Sequence, residues 1–182
     1  EPSSLSSQVR FANNSNSAFA DVSLVVGGFG DTAGEFVLIL EGMALTSADG
    51  AGDPFSVLVT PGMVDSGVPL TTYMISVSSR FDPLMALVDS NMDFIQTDDG
   101  NFIACDDAGN TNLCYGESSG LAGAFVSRTE GRQLPGGDFD AMLNIPLSEE
   151  MVDGYFNFLM RSAGMETFGD YVVAFHMGIA GN

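Results

Sequence analysis

Tyr155–Arg161 reads YFNFLMR. In an extended chain, Tyr155, Asn157, Leu159 and Arg161 fall on one face, while Phe156, Phe158 and Met160 fall on the other. The second set is the one expected to face a core. Similar runs of β-branched, aromatic and aliphatic residues recur on both sides of this segment, separated by Gly, Asp, Asn, Ser and Pro clusters. The expected strands are Gln8–Ala12, Val22–Gly28, Glu35–Glu41, Phe55–Thr60, Leu70–Ser78, Leu84–Asp89, Asp93–Thr97, Asn101–Cys105, Ala141–Pro146, Tyr155–Arg161 and Asp170–Met177. Leu121–Ser127 reads equally as a strand or a short helical turn. Ser148–Val152 is the one helix-like stretch, and it is short. Many short strands punctuated by turns predict an all-β protein built as an antiparallel β-sandwich.

Composition narrows the setting. The chain has 182 residues, 45% of them apolar and only 16% charged, so a sizeable core can form and a disordered acidic tail is excluded. Five Arg, no Lys and 24 Asp plus Glu give a net charge of −19. That field repels phosphate backbones and anionic lipid heads, so neither nucleic acid nor a membrane surface is an expected partner. No run of 18 apolar residues is present to form a transmembrane helix, and membrane insertion is not expected. Glu1-Pro2 reads as the start of a mature, processed chain. The surplus of Asp with no Lys suits a saline or calcium-containing exterior, and equally a halophile's solvation strategy.

The two cysteines, Cys105 and Cys114, bracket the polar stretch CDDAGNTNLC. An even count at this spacing suits a small disulfide ring and an oxidising, extracellular or cell-surface location. A ring of this size stabilises by about 2.7 kcal/mol through chain entropy. The pair lacks the CxxC spacing and nearby His of a zinc site. Oxygen ligands also cluster in turns: Asp89, Asn91 and Asp93 at alternate positions, then Asp98 and Asp99, then Asp106 and Asp107. Calcium takes six to eight oxygens, which makes it the candidate ion; no other cofactor is expected. An EF-hand is excluded, because Phe94 stands where that loop needs Gly. Ordinary turn chemistry accounts for the same residues equally well.

An internal repeat is visible at an offset of about 134 residues. Gln8–Ala12 (QVRFA) aligns with Met142–Pro146 (MLNIP), and Asp21–Val26 (DVSLVV) with Tyr155–Met160 (YFNFLM). Thr32–Gly42 (TAGEFVLILEG) aligns with Thr167–Met177 (TFGDYVVAFHM), matching Gly34-Glu35-Phe36 to Gly169-Asp170-Tyr171. The chain then holds one complete unit and the closing half of another. The expected division is a three-strand N-terminal half-domain over 1–43 and a sandwich domain over 44–182, with a disulfide-containing insertion at about 105–134.

Asp53–Thr60 (DPFSVLVT), Thr71–Asp89 (TTYMISVSSRFDPLMALVD), Asp98-Asp99-Gly100 and the closing GDYVVAF resemble the bacterial pre-peptidase C-terminal domain family. The resemblance covers roughly Asp53 to Met177 and implies a secreted β-sandwich of jelly-roll type. The Cys105–Leu134 insertion and the unpaired N-terminal half depart from the family pattern. The motifs encode turns and buried strands, so they bear on fold more than on function.

No catalytic constellation emerges. Gly116–Gly120 (GESSG) spells a nucleophile elbow but lacks the strand before it and the helix after it. His176, the only His, sits in the middle of an expected strand. Asp65-Ser66-Gly67 spells an aspartic-protease triplet without a second copy. Without Lys, no phosphate-binding P-loop exists. Asn13-Asn14-Ser15 is a glycosylation sequon only in a host that uses it. The expectation is therefore a non-enzymatic, secreted structural protein that polymerises head-to-tail, a homo-polymer made by β-strand complementation. Val22, Leu24, Val26, Phe36, Leu38 and Leu40 would fill a neighbour's groove. The alternatives are a non-catalytic binding module for polysaccharide or protein from a tandem array, and a single widened sandwich in which the extra strands pack on their own unit.

Overall fold

The computed structural model describes residues 23–28, 30–45, 52–78, 81–106, 125–126, 133–134, 140–164 and 168–181. The strands are β1 (Gly34–Leu45), β2 (Asp53–Leu58), β3 (Leu70–Ser76), β4 (Pro83–Val88), β5 (Ala104–Cys105), β6 (Phe125–Val126), β7 (Gln133–Leu134), β8 (Ala141–Ile145), β9 (Tyr155–Ser162) and β10 (Gly169–Ile179). Eight of them form two four-stranded antiparallel sheets, ordered β1-β10-β3-β8 and β2-β9-β4-β5, while β6 and β7 pair with each other. The chain is thus an all-β sandwich. Pairing is nested: β1 lies beside β10, β2 beside β9, β3 beside β8 and β4 beside β5.

Alternation assigns the faces. Leu70 and Met74 of β3, Val173 and Phe175 of β10, and Phe158 and Met160 of β9 meet between the sheets. Phe175 packs against Phe158 at 5.9 Å and Phe55 at 6.4 Å between ring centroids, joining the first sheet to the second. Each side chain buried this fully stabilises by about 1.5–3 kcal/mol. Phe156, Phe158 and Met160 occupy the core side as the alternation requires. Leu159, on the opposite side of β9, is nevertheless buried. A second apolar cluster, Tyr73, Ile75, Met142, Val172 and Ala174, lies on the outer side of the first sheet. Its central row runs across all four strands as Ile39, Ala174, Tyr73 and Met142.

One helix was not expected from the sequence. Pro61–Asp65 forms α1, with Thr60 at its N-cap accepting from the Met63 N–H at 3.3 Å and Pro61 filling the first turn, where no N–H is needed. Met63 points into the core, and the Ala180 N–H bonds the Gly62 carbonyl at 2.9 Å, tying the helix to the strand β10 end. The helix-like Ser148–Val152 is a single 3-10 turn at Glu149–Met151.

Two strand expectations change form. Asp93–Thr97 and Asn101–Cys105 reduce to the bridges Val88–Phe94 and Gln96–Phe102 plus the two-residue β5. Val22–Gly28 does not yield a strand: residues 23–28 belong to no strand and are exposed throughout. Gln8–Ala12 lies outside the described residues, as does most of Leu121–Ser127, within which Phe125–Val126 is β6.

The strand β1 bears directly on the expected division of the chain. It runs through the 43/44 boundary without interruption and pairs with β10 of its own chain from Gly34 opposite Ile179 to Leu45 opposite Gly169. The register shifts between Leu40 and Met43, where Gly42 adopts φ 80°, a left-handed conformation that glycine takes without strain. Thr32–Gly42 and Thr167–Met177, aligned as repeats, thus contribute β1 and β10, adjacent strands of one sheet that face the same core. Shared surroundings impose the same alternation on both.

Candidate functional surfaces

The acid turns are local structures. The Asp89 carboxylate accepts the backbone N–H of Asn91 at 2.8 Å and of Asp93 at 3.0 Å, plus the Asn91 amide at 3.3 Å. These bonds, led by the one from Asp93, hold its carboxyl below the usual carboxylate range. Oxygens expected to face an ion are thus turned onto the loop's own backbone. Thr97 and Asn101 close the next turn, in which Gly100 has φ 80° and Asp98 and Asp99 are exposed. Among the described residues, no group of three or more His, Cys, Asp or Glu side chains converges to hold a metal ion. Asp89, Asn91, Asp93, Asp98, Asp99 and Asp106 are therefore not brought together as one calcium site; Asp107 lies outside the described residues.

Cys105 is fully buried at the end of β5, and its sulfur accepts the Met142 N–H at 3.0 Å. No free cysteine occurs among the described residues. Cys114 lies outside them, as does the Gly116–Gly120 elbow. His176 lies on the outer side of β10 with Nε2 3.1 Å from Glu35 of β1, so it joins two strands. Asp65 ends α1. No described helix is long and apolar enough to cross a membrane.

The residues expected to drive assembly divide into two groups. Phe36, Leu38 and Leu40 are half-buried in β1 and pack against the core of their own chain. Leu24 and Val26 lie in an arm, Ser23–Gly28, whose neighbour Val25 is 97% exposed. Val22 lies outside the described residues. The arm leads into a turn near Gly28, where a Cβ would stand 2.3 Å from the Thr32 carbonyl oxygen. The arm and the core-embedded strand share one hydrophobic alternation, so that pattern did not separate them.

β1 is an edge strand, and among the described residues nothing pairs with its outer side. Below it, β2 is the edge of the second sheet, with Phe55 and Val57 also half-buried against the core. This flank is braced by Tyr171 of β10, whose hydroxyl donates to Asp53 of β2 at 2.5 Å. Burial and the Asp53 carboxylate together push the Tyr171 hydroxyl well above its ordinary pKa. A cross-sheet bond of this kind has no signature in either segment alone, and the sequence gives no signal for it.

The outer side of the second sheet carries a different surface. Tyr155 is 63% exposed and pairs across the strands with Leu58, and Ser56 donates to the Asn157 side chain at 2.7 Å. Further along, Phe94 and Phe102 meet edge to face at 5.6 Å, with the Arg161 guanidinium 5.9 Å from the Phe94 ring.

Fold and surfaces together define an antiparallel β-sandwich in which, among the described residues, the β1/β2 flank is unpaired and an apolar arm is exposed. No family model matches the chain, and no curated protein or solved structure is similar to it.

Proposed function

We propose that this chain is a secreted, non-enzymatic structural subunit that self-assembles by β-strand complementation into an extracellular filament. The observation that carries this reading is the Ser23–Gly28 arm. In a chain of net charge −19, it is an uncharged, apolar segment (SLVVGG) left outside every strand and exposed to solvent. Such a segment lowers its free energy by joining a sheet, through main-chain hydrogen bonds and alternate side-chain burial. Because the arm and the sandwich it joins belong to different copies, the contact is head-to-tail and need not close.

The nested pairing of first strand with last, second with next to last, and so inward, favours winding of the jelly-roll type. It also supports kinship with the pre-peptidase C-terminal domain family. Within the motifs carrying that resemblance, Phe81 is buried before β4, Asp98–Gly100 makes a tight turn and the closing GDYVVAF is β10. A Cys105–Cys114 crosslink at the base of the insertion belongs to the same reading and fits an oxidising location. Negative-stain electron microscopy of the native chain tests the proposal. Regular filaments are expected, and discrete monomers at every concentration would overturn it.

One observation favours a second reading, a binding module for polysaccharide. Tyr155, 63% exposed, lies two residues from Asn157 on the same side of β9, and Asn157 is bonded by Ser56, a combination that stacks on and anchors sugar rings. Glycan binding by a chain that stays monomeric would favour it.

A further inference from the structure

We infer that the outer edge of β1 over Phe36–Leu40, which no other described strand pairs, is the acceptor for the Ser23–Gly28 arm of a second copy of this chain; this rests on the self-assembly reading above and names the site of contact. The middle of the edge is apolar, between Glu35 and Glu41. Phe36, Val37, Leu38, Ile39 and Leu40 form five consecutive uncharged residues, half-buried on both sides of the sheet. Phe36, Leu38 and Leu40 face the core, while Val37 and Ile39 join the outer cluster. Soluble proteins usually blunt such an edge with Lys, Pro or a short strand. Here β1 is 12 residues long with neither Lys nor Pro, and its charges, Glu35 and Glu41, and its register shift all lie outside the apolar window.

The arm matches this edge in length, alternation and charge. A strand laid along Phe36–Leu40 would put Leu24 and Val26 in line with Phe36, Leu38 and Leu40, above the half-buried Phe55 and Val57 of β2. Val25 would then join Val37 and Ile39 on the outer side. In so acidic a chain most surface pairs repel, but both windows are uncharged, so they meet without that cost. The turn between arm and edge sits against the end of β10, where a Cβ on Gly181 would approach the Asp31 carbonyl oxygen to 3.0 Å. Among the described residues the arm pairs with no strand, its own β1 included, and it is offered to a neighbour's edge.

The test uses two full-length variants. Leu24→Asp with Val26→Asp spoils the arm and leaves the edge intact. Val37→Lys blunts the edge and leaves the arm intact, its aliphatic stem preserving packing while its ammonium reaches water. Circular dichroism and thermal melting establish that both stay folded, and sedimentation velocity reads assembly.

Each variant alone should be monomeric, with the assembly midpoint raised about tenfold or more per apolar side chain lost from the contact. Mixed, they should form a 1:1 heterodimer, because one supplies the edge and the other the arm. Filaments of the unaltered chain without this heterodimer would show that the arm enters elsewhere, and would overturn this inference but not self-assembly. Oligomers of the Leu24→Asp, Val26→Asp chain would point to edge-to-edge pairing of two β1 strands and overturn it as well. If the unaltered chain stays monomeric throughout, both readings fall.

Discussion

Leu24 and Leu38 carry the same residue type in the same kind of alternating stretch, yet they should respond oppositely to truncation. Leu38 lies in β1 opposite Phe175 and packs among the core side chains, half-buried. A Leu→Ala change at a sealed core site costs about 2–5 kcal/mol, from lost transfer energy plus the cavity left behind. At a half-buried site roughly half of that applies, so Leu38→Ala should lower stability by about 1–2.5 kcal/mol. For a chain of this size that lowers the melting temperature by about 3–8 °C. Leu24 is 40% exposed in an arm that belongs to no strand. Leu24→Ala should therefore change stability by no more than about 0.5 kcal/mol while weakening assembly.

The assay is urea unfolding followed by far-ultraviolet circular dichroism, at concentrations too low for assembly. A lower midpoint at constant slope isolates a change in stability. Sedimentation at high concentration reads assembly for the same two variants. If Leu38→Ala leaves the urea midpoint unmoved yet abolishes assembly, β1 is not embedded in its own sheet. Residues 34–45 would then act as a donor segment, as the repeat in the sequence had suggested.

Two tyrosines should also diverge. Tyr171→Phe removes the hydroxyl that bonds Asp53 across the sandwich and should cost about 1–2 kcal/mol, reduced by water reaching the half-exposed carboxylate. Tyr73→Phe deletes a buried hydroxyl that has no hydrogen-bond partner among the described residues and should leave stability unchanged or raise it by up to about 1 kcal/mol. Thermal melts of the two variants check both signs. The Asp89 carboxyl should titrate below its unfolded value of about 3.9, so its contribution is complete above that pH and is lost as pH falls through the folded value. Carbon-detected NMR titration of Asp89 checks this, and a midpoint at or above the ordinary value would refute it. Reduction should lower stability by about 2.7 kcal/mol if Cys105 and Cys114 form the proposed ring. Peptide mapping without reductant should recover the two residues linked.

How far the sequence discloses this molecule depends on whether a residue's neighbours lie near it in the chain. Period-two alternation reports a strand and its buried side, and β3, β4, β8, β9 and β10 fall close to where the alternation puts them. The α1 helix was missed because five residues hold no helical period. Its evidence lay in Thr60-Pro61, a cap followed by proline, at the end of the strand expected over Phe55–Thr60. The acid turns were legible as turns, but alternate carboxylates suit an ion and an Asx turn equally. The structure adds what the pattern omits, the bonds from the Asn91 and Asp93 N–H groups to the Asp89 carboxylate that make the Asx turn. Partnership between distant segments was not legible at all. Nothing local distinguishes SLVV, which supplies an exposed arm, from EFVLIL, which fills a place beside β10. The two described sheets hold the second as an edge strand and leave the first outside every described strand, and no pattern within either segment records that difference.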